Sequence, residues 1–175
     1  MNRKFLATLV LASSLLISEN CFAEFSGENN PALIANMTQN RANYINCGAE
    51  NISWQIDKTS LNVMKYEPPE YIIAVNLICT SSNGLSGTNA MTLAKSQTRQ
   101  YRYNYNDRRI YVKRTDDSGA AYWIFIDPKV IGTPDGYKND WDTDMAAGEI
   151  AFYLAYGMSF FDKPVSKLAS DYIKK

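Results

Sequence analysis

Tyr71-Ile72-Ile73-Ala74-Val75-Asn76-Leu77-Ile78-Cys79-Thr80 is apolar on both parities of an extended chain. Tyr71, Ile73, Val75, Leu77 and Cys79 fall on one side, and Ile72, Ala74 and Ile78 fall with Asn76 on the other. Successive side chains of a strand point to opposite faces, so this pattern predicts a central strand in a sheet covered on both sides. Working outward, Trp54-Gln55-Ile56-Asp57 and the stretch from Thr59 to Tyr66 read as strand. Glu67-Pro68-Pro69-Glu70 then forces a turn, because two prolines cannot join a ladder. Ser81 to Thr98, rich in Ser, Gly, Thr and Asn, predicts a mobile loop.

Beyond that loop a hairpin is expected, Arg99 to Tyr105 and Ile110 to Thr115, joined through Asn106-Asp107-Arg108-Arg109. A further strand, Ala121 to Asp127, follows Asp116-Asp117-Ser118-Gly119. Pairing Tyr105 with Ile110 sets Tyr103 against Val112 on the core face and Arg102 against Lys113 on the reverse. Carried across the next turn, that register puts Trp123 and Phe125 in the core and Tyr111, Tyr122 and Ile124 beside Arg102 and Lys113. Arg102, Tyr111, Lys113 and Tyr122 are therefore the candidate binding residues.

The tail supplies the helical layer. Met145 to Tyr156 is rich in Ala, Leu, Ile, Phe and Tyr, with Asp140, Asp142, Thr143 and Asp144 ahead of it and Gly157 behind. Acidic residues suit the positive end of a helix dipole, and glycine suits a helix C-terminus. Ile150, Leu154 and Met158 fall on one stripe, with Ala147 and Ala151 making it flat. A short last helix is expected near Pro164, with Val165, Leu168 and Tyr172 on its apolar side. Upstream, Glu24 to Asn51 is polar and Asn-rich, with one loose helix from Pro31 to Ile45 and glycosylation-type triplets at Asn36 and Asn51. The fold class is α+β, an antiparallel sheet of about five strands packed against a C-terminal helix, in one domain over 52–175.

The first residues set the compartment. Arg3 and Lys4 precede an apolar run from Phe5 to Ile17 and the small-residue site Cys21-Phe22-Ala23, the arrangement of a removable export signal over 1–23. The run is about a dozen residues, short of the roughly 20 that span a bilayer, and no later segment is expected to span a membrane. The expected locale is periplasm, cell surface or exterior. Cleavage there leaves Cys47 and Cys79 as a pair in an oxidising compartment, where a disulfide between them is expected to contribute roughly 3 to 4 kcal/mol.

Composition removes whole classes of chemistry. The chain has no histidine, so Ser-His-Asp and Cys-His catalysis and His-ligated metals are excluded. With 18 basic and 18 acidic residues in all, losing Arg3, Lys4 and Glu19 leaves 16 and 17, too balanced to favour nucleic acid. Asp140, Asp142 and Asp144 lack the EF-hand's glycine and closing glutamate, which stand as Met145 and Ala151, so neither metal nor cofactor is expected. Asp57, Asp127 and Glu149 are the carboxylates open to a His-free, glycosidase-like hydrolase. Arg99, Arg102, Arg108, Arg109, Lys113 and Arg114 lie close together among tyrosines, which allows a binding reading with an acidic protein patch or cell-wall polymer as the partner. Their pairing with Asp107, Asp116 and Asp117 is the plain alternative. A homodimer burying Leu61, Val63, Ile72, Ala74, Tyr111 and Ile124 is a third reading.

Two segments carry a resemblance. Ile56-Asp57-Lys58-Thr59-Ser60-Leu61 with Tyr66-Glu67-Pro68-Pro69-Glu70-Tyr71, and the helix Met145 to Gly157, resemble parts of small uncharacterised exported proteins of anaerobic bacteria. More distantly, a Trp-led strand ahead of an antiparallel meander is similar to surface-adhesin protein E, a bacterial envelope protein that binds host proteins. The resemblance spans Trp54 to Gly157 and departs at the polar front. It implies export and fold and carries no catalytic residue. Together these readings lead to the expectation of an exported, non-enzymatic binding module.

Overall fold

The computed structural model describes residues 30–48, 53–82, 91–133 and 140–174. The export segment with its cleavage point, the start of the polar front and the Asn51 triplet lie outside them. Six strands form one antiparallel sheet in chain order: β1 (Tyr44–Asn46), β2 (Ser53–Glu67), β3 (Glu70–Ser82), β4 (Met91–Asn104), β5 (Arg109–Thr115) and β6 (Ala121–Phe125). Among the described residues three α-helices accompany it: α1 (Pro31–Gln39), α2 (Trp141–Tyr156) and α3 (Lys167–Ile173). The architecture is α+β, and the Tyr71–Thr80 run lies in a strand paired on both edges, with β2 and β4.

Three elements differ from the sequence reading, each for a local reason. The first helix ends at Gln39, and Tyr44–Asn46 instead pairs with Asp57–Gln55 as the sixth strand. A strand of three residues is too short to show a period, so nothing marked it in advance. Of the expected loop 81–98, residues 81–82 belong to β3 and 91–98 to β4, and 83–90 lie outside the described residues. Ala94 and Thr98 share the outer face: Ala94 is fully buried beside Met37 and Ile78, and the Thr98 hydroxyl donates to Asn76 Oδ1 at 2.8 Å. The two expected stretches before the prolines form one strand, interrupted by a bulge between Asp57 and Asn62. There the Ser60 hydroxyl donates to the Asp57 carbonyl and accepts from the Asn76 N–H at 2.8 Å, so that N–H keeps a partner where the ladder is interrupted.

The sheet has two unlike faces. One carries Ile45, Cys47, Trp54, Ile56, Ile73, Val75, Leu77, Cys79, Tyr101, Tyr103, Ile110 and Val112, all buried beneath α2 and α3. Among the described residues the other is covered only at one end, where α1 sets Met37 on Ile78 and Ala94. Asn30 caps α1 by accepting from the Leu33 N–H at 3.0 Å, and Pro31 follows it, where a missing N–H costs nothing. A close approach closes the principal core near β1. A Cβ at Gly48 would lie 2.6 Å from Trp54 Cβ. Gly48→Ala is expected to lower unfolding free energy by about 1 to 3 kcal/mol, read from urea denaturation, because the added methyl overlaps the Cβ, Cγ and Cδ1 atoms of the buried Trp54 and something must shift. An unchanged midpoint would show that the β1–β2 connection yields.

Helix α2 begins four residues earlier than its apolar run, so Asp142 and Asp144 sit in its first turn rather than ahead of it. Gly157 ends it with φ 68°, and its N–H donates to the Tyr153 carbonyl at 2.7 Å. Residues 143–152 are all buried, and of the expected stripe Met158 is 45 % exposed, beyond the glycine that ends the helix. The helix lies along β4 in the same direction. The Tyr101 hydroxyl donates to Asp144 at 3.1 Å, the Tyr103 hydroxyl donates to the Gly148 carbonyl at 2.8 Å, and Tyr105 stacks on Phe152. Residues four apart on a helix and two apart on a strand advance by nearly the same distance, about 6 to 7 Å, so each tyrosine meets the next turn.

Candidate functional site

On the helix-covered face, the parity that buries Tyr101 and Tyr103 also points Arg99 inward, and the parity of Ile110 and Val112 does the same for Arg114. Both meet Asp144. Arg114 Nη2 lies 2.6 Å from Asp144 Oδ2, and Arg99 Nε lies 3.8 Å from Oδ1. Burial and the Asp144 charge hold the Tyr101 hydroxyl well above its usual range. The cluster clamps helix to sheet. Its chemistry is that of a buried structural network, since the carboxylate that could act is hydrogen-bonded by Arg114 and Tyr101 and faces the Arg99 guanidinium at 3.8 Å.

The other face, at the β4–β6 end, gathers the surface that the sequence pointed to. Arg102 of β4 lies over the Tyr111 ring at 4.4 Å and over the Trp123 ring at 5.4 Å. Arg109 lies over Phe125 at 5.8 Å, and Lys113 Nζ donates to Gln100 Oε1 at 3.2 Å. None of these three cations meets a carboxylate among the described residues. Of the expected aspartate partners, Asp116 is engaged within its own loop. Asp116 Oδ1 accepts from Ser118 and Ala120, and Arg108 turns to Asp162 and the Phe160 carbonyl.

Of the four candidate residues, Arg102, Tyr111 and Lys113 share this outer face, and Tyr122 does not. Pairing runs Tyr103 with Ile110 and Arg102 with Tyr111, two residues from the expected register, because the turn uses 105–108. A slip of two keeps every side chain on its face. At the next turn, Thr115 pairs with Ala121 across a five-residue loop, so residues of equal parity share a face. The loop is fixed by Asp116, whose N–H donates to the Ala120 carbonyl at 3.0 Å, and by Gly119 at φ 85°. Tyr122, Ile124 and Ile126 therefore join the helix side, and Trp123 and Phe125 take the outer face, the reverse of the expectation. Counting the loop as five residues is the signal that would have found Trp123.

The carboxylates suggested for hydrolysis are not brought together. Asp57, on the outer face, accepts from the Thr59 N–H and hydroxyl. Asp127 caps a short 3-10 turn by accepting from Lys129 N–H, and Glu149, on α2, accepts from Val165 N–H and Ser166 N–H at 2.7 and 2.8 Å. Asp142 and Asp144 diverge as well, the former accepting from Gly132 N–H at 2.6 Å. The surface expected for a homodimer divides: Leu61 and Ile124 pack on the helix-side core, while Ile72, Ala74 and Tyr111 share the outer face.

Cys47 and Cys79 are both free and fully buried. Cys47 N–H donates to the Trp54 carbonyl, and Trp54 pairs with Cys79, so β2 lies between them. Two strand spacings are roughly 9 to 10 Å, and a disulfide spans Cα atoms within about 7 Å, so closing the expected bridge requires the strands to move. Burial, with Asp144 nearby, pushes the Cys47 thiol well above its ordinary range. No helix among the described residues is long and apolar enough to cross a membrane.

Fold and site together define a class, an antiparallel meander with one helix-buried face and one partly open aromatic and basic face. In comparisons with known proteins, no family model, no curated protein and no solved structure matches this chain.

Proposed function

We propose that this is an exported, non-enzymatic binding module of the cell envelope or its surroundings, and that the outer face of β4–β6 receives an acidic partner. One observation carries this reading: Arg102, Arg109 and Lys113 alternate with Tyr111, Trp123 and Phe125 on sheet that α1 does not reach, and rings and an amide hold the cations instead of carboxylates. A guanidinium stacked on a ring keeps its in-plane donors available to a carboxylate or phosphate. The resemblance read from the sequence of Trp54–Gly157 to small exported proteins and to surface-adhesin protein E is in keeping with this reading. The partner chemistry is an acidic protein patch or an acidic cell-wall polymer.

The test is capture of envelope material by the purified protein at low and high salt, beside an Arg102→Glu/Lys113→Glu variant. Capture is expected at low salt, with loss in the variant and at high salt. Equal capture by the two proteins would remove the outer face from the reading. Export itself is read by sequencing the N-terminus of the protein recovered outside the cytoplasm, where Glu24 is the expected first residue.

A further inference from the structure

Among the described residues the outer face ends at an unpaired sheet edge, and the two belong to one site. β6 is the last strand of the sheet, and its five residues, Ala121 to Phe125, include no charged residue and no proline. Sheet edges are ordinarily guarded by charge, proline or cover. The Ile126 N–H donates to the Ile110 carbonyl at 3.0 Å. With the β5–β6 register, this makes Tyr122 and Ile124 the residues whose backbone bonds to β5. Ala121, Trp123 and Phe125 then turn their N–H and carbonyl groups away from the sheet, and no described residue pairs with them. Their side chains are the ones on the outer face, where Arg102 reaches Trp123 and Arg109 reaches Phe125. Phe125 is 38 % exposed.

The geometry points to strand addition: an extended acidic segment of a partner protein pairs with β6 as a seventh strand, its alternate carboxylates facing Arg102, Arg109 and, further in, Lys113. This deepens the reading of the outer face as acid-binding and rests on it. Main-chain bonds to Ala121, Trp123 and Phe125 give affinity, and the side chains on one parity of the added strand give selectivity. A second copy of this chain fits less well. Two β6 edges paired antiparallel about an axis perpendicular to the sheet keep both basic faces on the same side, where like charges oppose each other.

The experiment uses the purified protein and a short fluorescent peptide of alternating glutamate and threonine, followed by anisotropy and by amide exchange in the NMR spectrum. Binding is expected to protect the amides of Ala121, Trp123 and Phe125 and to leave those of Tyr122 and Ile124, already paired to β5, unchanged. Methylating alternate peptide nitrogens, on the bonded parity, is expected to weaken binding by at least about tenfold, as is Arg102→Glu/Arg109→Glu. Binding that ignores methylation but falls with charge reversal overturns strand addition and leaves the basic face standing. Binding that ignores charge reversal overturns the acidic partner. No binding at millimolar peptide overturns the proposal, and so does protection of the same three amides by protein concentration alone, which would make a second copy the occupant.

Discussion

Asp144→Ala is expected to lower the unfolding free energy by about 3 to 5 kcal/mol, the usual cost of removing one partner of a buried ion pair. That is a large share of the roughly 5 to 15 kcal/mol that holds a domain folded. The reasoning starts from burial. Asp144 is 1 % exposed and Arg99 5 % exposed, and Arg114 is nearly covered. The carboxylate touches Arg99, Arg114 and the Tyr101 hydroxyl, so its loss removes the negative charge that both guanidinium groups face in a low-dielectric site. Tyr101→Phe, which deletes one neutral donor and keeps the charges, is expected to cost only about 1 kcal/mol. Replacing all three charged residues together, Arg99→Met/Arg114→Leu/Asp144→Leu, is expected to recover much of the loss, because no charge is then left buried. Chemical denaturation of the four proteins checks this. If the triple replacement proves no more stable than Asp144→Ala, stranded charge is not the cause and the packing of the helix on the sheet is.

The same residues explain what could be read from the chain and what could not. The Tyr71–Thr80 run announced its position because both parities are apolar, and Gly157 announced the end of α2 because a left-handed cap suits glycine. The buried cluster was equally written in parity, since Arg99 precedes Tyr101 and Tyr103 by steps of two, and Arg114 follows Ile110 and Val112 by steps of two. Charge overrode that pattern: arginines are read as surface residues unless a buried partner is known, and the partner lies 30 residues or more away in sequence, on the helix. The outer face was three-quarters legible. Arg102, Tyr111 and Lys113 follow from any register that keeps parity, whereas Tyr122 and Trp123 exchange faces on the length of one loop. Strand β1 gave no signal, because its pairing is decided by β2 rather than by its own three residues.

The two faces also divide the work of the sheet. Where helix covers it, buried charge and tyrosine hydroxyls tie α2 to β4 and β5, cross-links that favour a rigid sheet. Where helix does not cover it, the cations are left to rings and to Gln100. A binding face benefits from such rigidity, since less side-chain and backbone freedom is lost when a partner arrives.

Glu149 is expected to make the protein less stable at pH 8 than at pH 5, and by a measurable amount. Its carboxyl is buried in α2 and is pushed up to about 7, chiefly by burial, against the opposing effect of the Ser166 and Val165 N–H groups that it accepts from. A folded-state value above the unfolded one means that the fold prefers the neutral acid. The stabilisation is therefore fully present below about pH 4.5 and is lost as pH rises through about 7. Each tenfold difference in acid strength between fold and open chain is worth about 1.4 kcal/mol, so the whole change is on the order of 3 kcal/mol. The groups nearby do not mask it. Tyr103, facing Glu149 from β4, is held well above its usual range and stays neutral throughout. Asp116 is held below the usual carboxylate range by its hydrogen bonds to Ser118 and Ala120, so it acts in the opposite sense and only in acid. Asp142 is raised by burial and acts in the same sense as Glu149, but it is common to both proteins compared. Glu149→Gln keeps one acceptor for the Val165–Ser166 backbone and cannot ionise. The unfolding free energy of wild type minus that of Glu149→Gln should therefore fall steadily between pH 5 and pH 8, and parallel pH profiles for the two proteins would show that the carboxyl ionises in the fold as readily as it does in the open chain.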